Sequence, residues 1–247
     1  MSKVSSQTNE KLSVKSSLKL NFKISNRLQK IEKMVTSQYD HIWDCCCDHG
    51  LLGSALLSRP ESNTVHFVDI VPQLMAELES KLHRFYPSSN WKTHCLDVAK
   101  LPLAQYAGKH LIIIAGIGGD LMIEFIEAIY KKYKDLTIDF LLCPVHHQFS
   151  MRQTLIALEF SLKHEVLMEE NRRFYEIVLV STTKDDNKRV NPVGDIMWRS
   201  TSSHQAGTAQ RYLTKTLNHY QRIQQGVHQS KTDDVQHVID AYHGVML

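Results

Sequence analysis

No stretch of this 247-residue chain holds the ~20 consecutive apolar residues that a bilayer-spanning helix needs. Its best apolar run, Leu111 to Ile117, is one buried strand long, so no membrane role is expected. The N-terminus, MSKVSSQTNEK, has no apolar core behind its charges and does not read as a secretory signal. Cysteine is scarce: five residues, three of them consecutive (Cys45, Cys46, Cys47). Neighbouring cysteines cannot easily bridge each other, which argues against a disulfide framework and for a reducing, cytoplasmic setting. Consecutive ligands cannot wrap a tetrahedral ion either, so no metal is expected. No G-x-G-x-x-G follows the first expected strand, which argues against NAD and P-loop nucleotides. There is no internal repeat. What remains, at 43% hydrophobic and 22% charged, is a globular chain of one large domain or one domain with a small appendage.

The formal charge of +3 is unevenly spread. Residues 1–40 carry eight Lys/Arg against three Asp/Glu, residues 41–183 carry 13 against 17, and residues 184–247 carry eight against six. Basic ends around an acidic middle suit a polyanion gripped by the ends and delivered to the middle, or else a solubilising tail. Lys11, Lys15, Lys19, Lys23 and Arg27 recur every fourth position, a stripe if helical, although Leu18, Leu20, Phe22 and Ile24 alternate as in a strand.

From Ser25 a helix is expected, and beyond it strands and helices alternate. Strands are read at His41–Cys46, Thr64–Asp69, Trp91–Cys95, His110–Ala115 and Phe140–Cys143, with helices at about 51–58, 72–86, 119–133 and 149–158. Leu162–Met168 and Phe174–Ser181 form two further strands around Glu169-Glu170-Asn171-Arg172. Strands parted by helices pair in parallel, and the last two, with no helix between them, give an antiparallel edge. The expected fold class is α/β, a mostly parallel doubly wound sheet, followed by a small helical C-terminal region with helices at about 209–225 and 233–242. The expected units are a flexible basic segment 1–24, a main domain 25–183 and a helical extension 184–247. With about sixty residues the extension should pack on the main domain.

Four features fall at consecutive strand ends, where such sheets bind ligands. They are Asp44-Cys45-Cys46-Cys47-Asp48-His49-Gly50 after the first strand, Asp69-Ile70 after the second, Asp97-Val98 after the third, and Ala115-Gly116-Ile117-Gly118-Gly119 after the fourth. A carboxylate closing the second strand suits a ribose diol, and a polar group after the third suits an adenine amine. Small residues at the first and fourth turns let a backbone approach a ligand closely. A ligand with adenine, ribose and an amino-acid end fits that order. Each aspartate could equally be a helix cap or turn former.

At these residues the chain resembles the bacterial tRNA (adenine(22)-N(1))-methyltransferase family. The family's D-x-G-x-D-H motif is matched by Asp44, Asp48 and His49, its acidic residue after strand two by Asp69, and its A-G-M-G-G turn by Ala115 to Gly119. A late E-x-x-x-x-Y-E-I stretch resembles Glu170 through Tyr175-Glu176-Ile177. The resemblance covers roughly residues 20–182. Cys46 stands where the family has glycine, and Cys143-Pro144-Val145 where it has Q-P-N, followed by His146 and His147. The resemblance implies a Rossmann-like class I fold and S-adenosylmethionine as cofactor, held by Asp44, Cys46, Asp48, Asp69, Ile70, Asp97, Val98, Ala115, Gly116 and Gly118. It implies methyl transfer to N1 of an unpaired or flipped adenine in tRNA. Asp48, His49 and Pro144 are the expected catalytic residues, with Val145 beside Pro144 in the pocket wall. An alternative has Asp48 capping the next helix and His49 filling a groove. Lys15, Lys19, Lys23 and Arg27 are expected on the RNA, and the protein is expected to be a monomer or weak dimer. Competing functions are methylation of rRNA or a small molecule, and a catalytically silent RNA-binding adaptor.

Overall fold

The computed structural model describes residues 24–36, 38–60, 63–200, 202–227 and 235–247. Lys15, Lys19 and Lys23 lie outside the described residues. Seven strands form one sheet in the order β3-β2-β1-β4-β5-β7-β6. The strands are β1 (His41–Cys45), β2 (Thr64–Asp69), β3 (Trp91–Cys95), β4 (His110–Ala115), β5 (Ile138–Cys143), β6 (Ser161–Glu170) and β7 (Arg173–Ser181). The first five pair in parallel, and β7 runs antiparallel to both β5 and β6. The chain leaves β1 toward β2 and later returns on its other side as β4. That reversal is the switch point of a doubly wound sheet.

Period-two burial sorts the strand residues between two cores. Trp43, Ile112, Ile114, Phe140 and Leu142 face one side, packed under α4 (Gly119–Lys132) and α5 (Gln148–Ala157). Ile42, Leu111, Ile113 and Leu141 face the other, under α1 (Asn26–Met34), α2 (Leu51–Leu57) and α3 (Pro72–Phe85). Each such fully covered side chain contributes roughly 1.5–3 kcal/mol. A one-residue slip would exchange the two sets, so the register is strongly fixed.

The last two strands are longer than their alternation suggested. The polar turn narrows to Asn171 and Arg172, both left-handed (φ 52° and 61°), as a two-residue hairpin requires. Glu169 and Glu170 therefore belong to β6, opposite Phe174 and Arg173. The helix expected from residue 209 starts earlier, as α6 (Ser203–Val227), because Ser202 Oγ accepts from the Gln205 amide at 3.2 Å and caps it. With α7 (Gln236–His243) it buries Trp198, Tyr212, Leu213, Val238 and Tyr242 against Phe149 of α5 and Leu167 of β6.

Beneath this apolar cluster lies an ionic one. Arg152 of α5 is fully buried, with Nε 2.7 Å from Glu176 Oε2 and Nη2 2.8 Å from Glu165 Oε2. The Glu165 contact lacks hydrogen-bond geometry at Oε2 and is ionic rather than directional. Tyr212 donates its hydroxyl to Glu176, and Glu165 Oε1 accepts from the Asp195 amide at 2.6 Å. Burial pulls against the Arg152 charge, but Glu176 and Glu165 outweigh it and hold the group charged.

Candidate active site

The C-terminal ends of β1 to β5 carry turns that hydrogen-bond to one another in two groups. In the first, the Cys47 amide donates to Val68 O, the Asp48 amide to Asp69 Oδ2 at 3.0 Å, and the Leu96 amide to Asp69 O. In the second, Gly116 N donates to Cys143 O, Val145 N to Ile117 O, and Gly119 N to His146 O. Among the described residues no hydrogen bond joins the β1 turn to the β4 turn. The seam between them is the crevice of the switch point.

Asp44, Asp69 and Asp97 stand at the C-terminal ends of β1, β2 and β3, on the β1 side of this crevice. Burial raises the Cys46 thiol to about 11, and Asp69, Asp44 and Asp97 push in the same direction. Burial raises Asp44 itself to about 7, against the amide of Gly53 and helped by Asp69. Its Oδ2 accepts from Gly53 N, in the first turn of α2, at 2.8 Å. Asp44 therefore caps α2, and Asp48 does not. Asp48 and His49 are instead exposed, 3.7 Å apart, with Asp48 left-handed at φ 50°. Cys46 is also left-handed at φ 55°, which accounts for glycine as the family's residue there. Asp69 spends Oδ1 on the Val71 amide and Oδ2 on the Asp48 amide, holding two turns at once. Asp97 Oδ1 accepts from Ala99 N at 2.9 Å, and Ile70 stands exposed beside it all.

Several expected residues sit differently from their reading. Val98 is buried in the core with Trp43 and Leu101, so its side chain is not presented to a ligand. Pro144 is buried, leaving Val145, 44% exposed, as the surface of that wall. Gly118 is covered by the His146 ring, whose Cε1 lies 2.3 Å from where a β-carbon would be. Arg27 is the last residue of the basic stripe read as an RNA contact. It turns inward from α1, 5.1 Å over the Tyr175 ring, with Nη1 buried, unpartnered and 3.3 Å from the β-carbon position of Gly116. An inward guanidinium cannot be told from an outward one by spacing alone.

Two histidines and an aspartate at this rim escaped sequence reasoning as a unit: His146, His147 and Asp120. So did a cavity of about 440 Å³ at the opposite end of the sheet, lined by Tyr39, Lys109, Asp139, Lys163 and Lys188. Within it Tyr39 and Lys163 both meet Asp139 Oδ2. It lies away from the carboxylates.

Gly119 tests how much the rim depends on close packing. A methyl group there would meet the carbonyl oxygens of His146 and His147 at 2.8 Å, both backbone atoms. Gly119→Ala should part the β4 and β5 turns, cost about 1–3 kcal/mol in thermal unfolding, and abolish turnover. Gly118→Ala meets only the exposed His146 ring and should leave the unfolding midpoint nearly unchanged.

A doubly wound sheet with carboxylates at its switch point and no phosphate loop defines a Rossmann-like fold. The chain belongs to the methyltransferase-domain family, whose model matches residues 24–178. No curated protein sequence matches it. Among solved structures it is similar to M. capricolum TrmK in complex with S-adenosyl-homocysteine (TM-score 0.68, 16% identity, 89% of this chain and 96% of that one). It is similar to a Streptococcus pneumoniae protein in complex with S-adenosyl-L-methionine (TM-score 0.68, 17% identity, 89% and 98%). It is also similar to the B. subtilis m1A22 tRNA methyltransferase TrmK (TM-score 0.61, 18% identity, 90% and 94%). At these identities the likeness is one of fold. Among the described residues no helix is long and apolar enough to cross a membrane, and no cluster of ligands could hold a metal.

Proposed function

We propose that this chain methylates N1 of an unpaired adenine in tRNA, with S-adenosylmethionine as donor. One observation carries the reading: Asp44, Asp69 and Asp97 stand at the C-terminal ends of β1, β2 and β3, on one side of the switch point, with Asp69 tying the first two turns together and Gly116 following β4 on the other side. An acidic, phosphate-loop-free crevice suits a cationic nucleoside better than a nucleotide. The solved neighbours include two TrmK structures, and they cover nearly the whole chain, which requires most of the tail as well as the sheet.

The residues fit the cofactor. Asp44 has one oxygen left for its amino group, Asp69 and Ile70 stand at the place of the ribose, and Asp97 at that of the base. When bound, S-adenosylmethionine supplies a methyl group already activated by its sulfonium. The chain's task is then alignment, since adenine N1 attacks through a lone pair and has no proton to lose. Asp48, His49 and Val145 line the face presented to the base. Lys30 and Lys33 lie on α1, and Arg211, Lys215 and Arg222 line one side of α6. These basic groups offer a path for the phosphate backbone. The substrate and the five free cysteines fit a cytoplasmic enzyme.

The test is nucleoside mass spectrometry of tRNA incubated with protein and S-adenosylmethionine: 1-methyladenosine should appear, with one S-adenosylhomocysteine per methyl. No cofactor binding in calorimetry at millimolar concentration would favour the silent adaptor. Asp48→Asn removes a charge while tolerating the left-handed backbone. By loosening the alignment of the base it should lower kcat at least about tenfold with an unchanged unfolding midpoint. Normal turnover would remove Asp48 from the mechanism.

A further inference from the structure

The rim holds a hydrogen-bonded pair that the reading above leaves without a task. His147 Nδ1 lies 2.7 Å and 2.8 Å from the two carboxylate oxygens of Asp120, in the first turn of α4. A carboxylate only accepts, so Nδ1 carries the proton, and in the neutral ring Nε2 is left as a bare lone pair. His147 is itself left-handed, φ 59°, and its carbonyl accepts from Met151 N as α5 begins. The neighbouring His146 ring stands edge-on at 4.5 Å and covers Gly118. The pair thus bridges the turns after β4 and β5, on the same C-terminal edge of the sheet as the crevice, with the His147 side chain 53% and Asp120 66% exposed. An ion pair that exposed adds little to stability, so holding the fold does not account for it.

We propose that His147, oriented by Asp120, accepts a hydrogen bond from the exocyclic amine of the target base and so selects adenine over guanine. This rests on the reading of the site as an adenine N1-methyltransferase. Adenine carries its N6 amine, a donor, beside N1 on the same edge. Guanine places O6 there, an acceptor, and two lone pairs would face each other. Because N1 bears no proton, the imidazole is not needed as a base. It fixes the ring so that the N1 lone pair keeps its direction. Asp120 is a positioning residue, acting through the tautomer it imposes. A site built to pair a substrate N–H discriminates strongly against an analogue that lacks it.

The test uses the full chain and a synthetic tRNA in which the methylated adenosine, once mapped, is replaced by purine riboside, which keeps N1 and lacks the amine. With the unaltered protein the replacement should lower kcat/KM about 10- to 100-fold, the range for a hydrogen bond to a polarised acceptor. In His147→Leu, adenosine should fall to the purine riboside rate and the replacement should cost nothing further. His147→Gln, whose amide oxygen accepts, should recover part of the preference, and Asp120→Asn should weaken it. Calorimetric affinity for S-adenosylmethionine verifies that each variant is folded. An equal penalty in the unaltered protein and in His147→Leu overturns the inference and leaves the methyltransferase reading standing. Absence of 1-methyladenosine with the unaltered protein overturns both.

Discussion

Replacing Arg152 with methionine should remove about 3–5 kcal/mol of stability, the usual result of stranding buried carboxylates without their cation. The guanidinium is wholly enclosed and meets Glu176 and Glu165 at 2.7 and 2.8 Å. Among the described residues no other cation pairs with either carboxylate: Tyr212 donates to Glu176 and the Asp195 amide to Glu165, but neither brings a charge. Urea unfolding at neutral pH, followed by the fluorescence of Trp198 packed on Tyr212, measures the loss. A triple variant that also carries Glu165→Gln and Glu176→Gln should recover part of it, because the stranded charges are gone. A loss below 1 kcal/mol would mean that water reaches the cluster. The cluster joins α5, β6, β7 and α6, so the same variant should loosen the C-terminal helices before the sheet.

Asp44→Asn should act in opposite directions on stability and on binding. Burial raises the Asp44 carboxyl from an ordinary 3.8 to about 7. A raised folded-state value means that the stabilising contribution is fully present below pH 3.8 and is lost as pH rises through 7. About three units at 1.36 kcal/mol each give a cost of up to about 4 kcal/mol for the ionised form at pH 8. Asparagine keeps an oxygen for the Gly53 amide and carries no charge, so Asp44→Asn should be the more stable protein at pH 8. At pH 4 the two should differ little. Cofactor affinity should respond the other way. A cationic ligand favours ionised Asp44, so in the unaltered protein binding should strengthen as pH rises toward 7 and release a proton near neutrality. Asp44→Asn should bind at least about tenfold more weakly and lose that pH dependence. Isothermal calorimetry in two buffers of different ionisation enthalpy reads both quantities. Equal affinity in the variant would place the ligand's amine elsewhere.

Much of the sheet was legible because β1, β2, β4 and β5 are short apolar runs ended by Asp, Gly or Pro, and burial on both faces leaves few other assignments for Leu-Ile-Ile-Ile-Ala. The strand-end carboxylates were legible for the same reason: a strand's last residue is fixed once its apolar run is. The rest depended on contacts between distant residues. Arg152 meets Glu176 across 24 positions, and Asp120 meets His147 across 27, with no local pattern to announce either pair. The inward turn of Arg27 is set by Tyr175 and Gly116, which lie far along the chain. The true starts of β7 and α6 follow from a left-handed two-residue turn and one serine hydroxyl, signals that local periodicity does not contain.

The unlinked seam between the β1 and β4 turns lies directly above two strands that are paired along their whole length, from His41 opposite His110 to Cys45 opposite Ile114. The floor of the groove is therefore stiff, and only its lips are free to part. Admission and discharge of a small donor then need a brief flexing of surface chain, on the nanosecond-to-microsecond scale of loops, rather than any hinged rotation of large bodies. Under the tRNA reading proposed above, the slow step of a cycle is then expected at the bulkier, folded substrate.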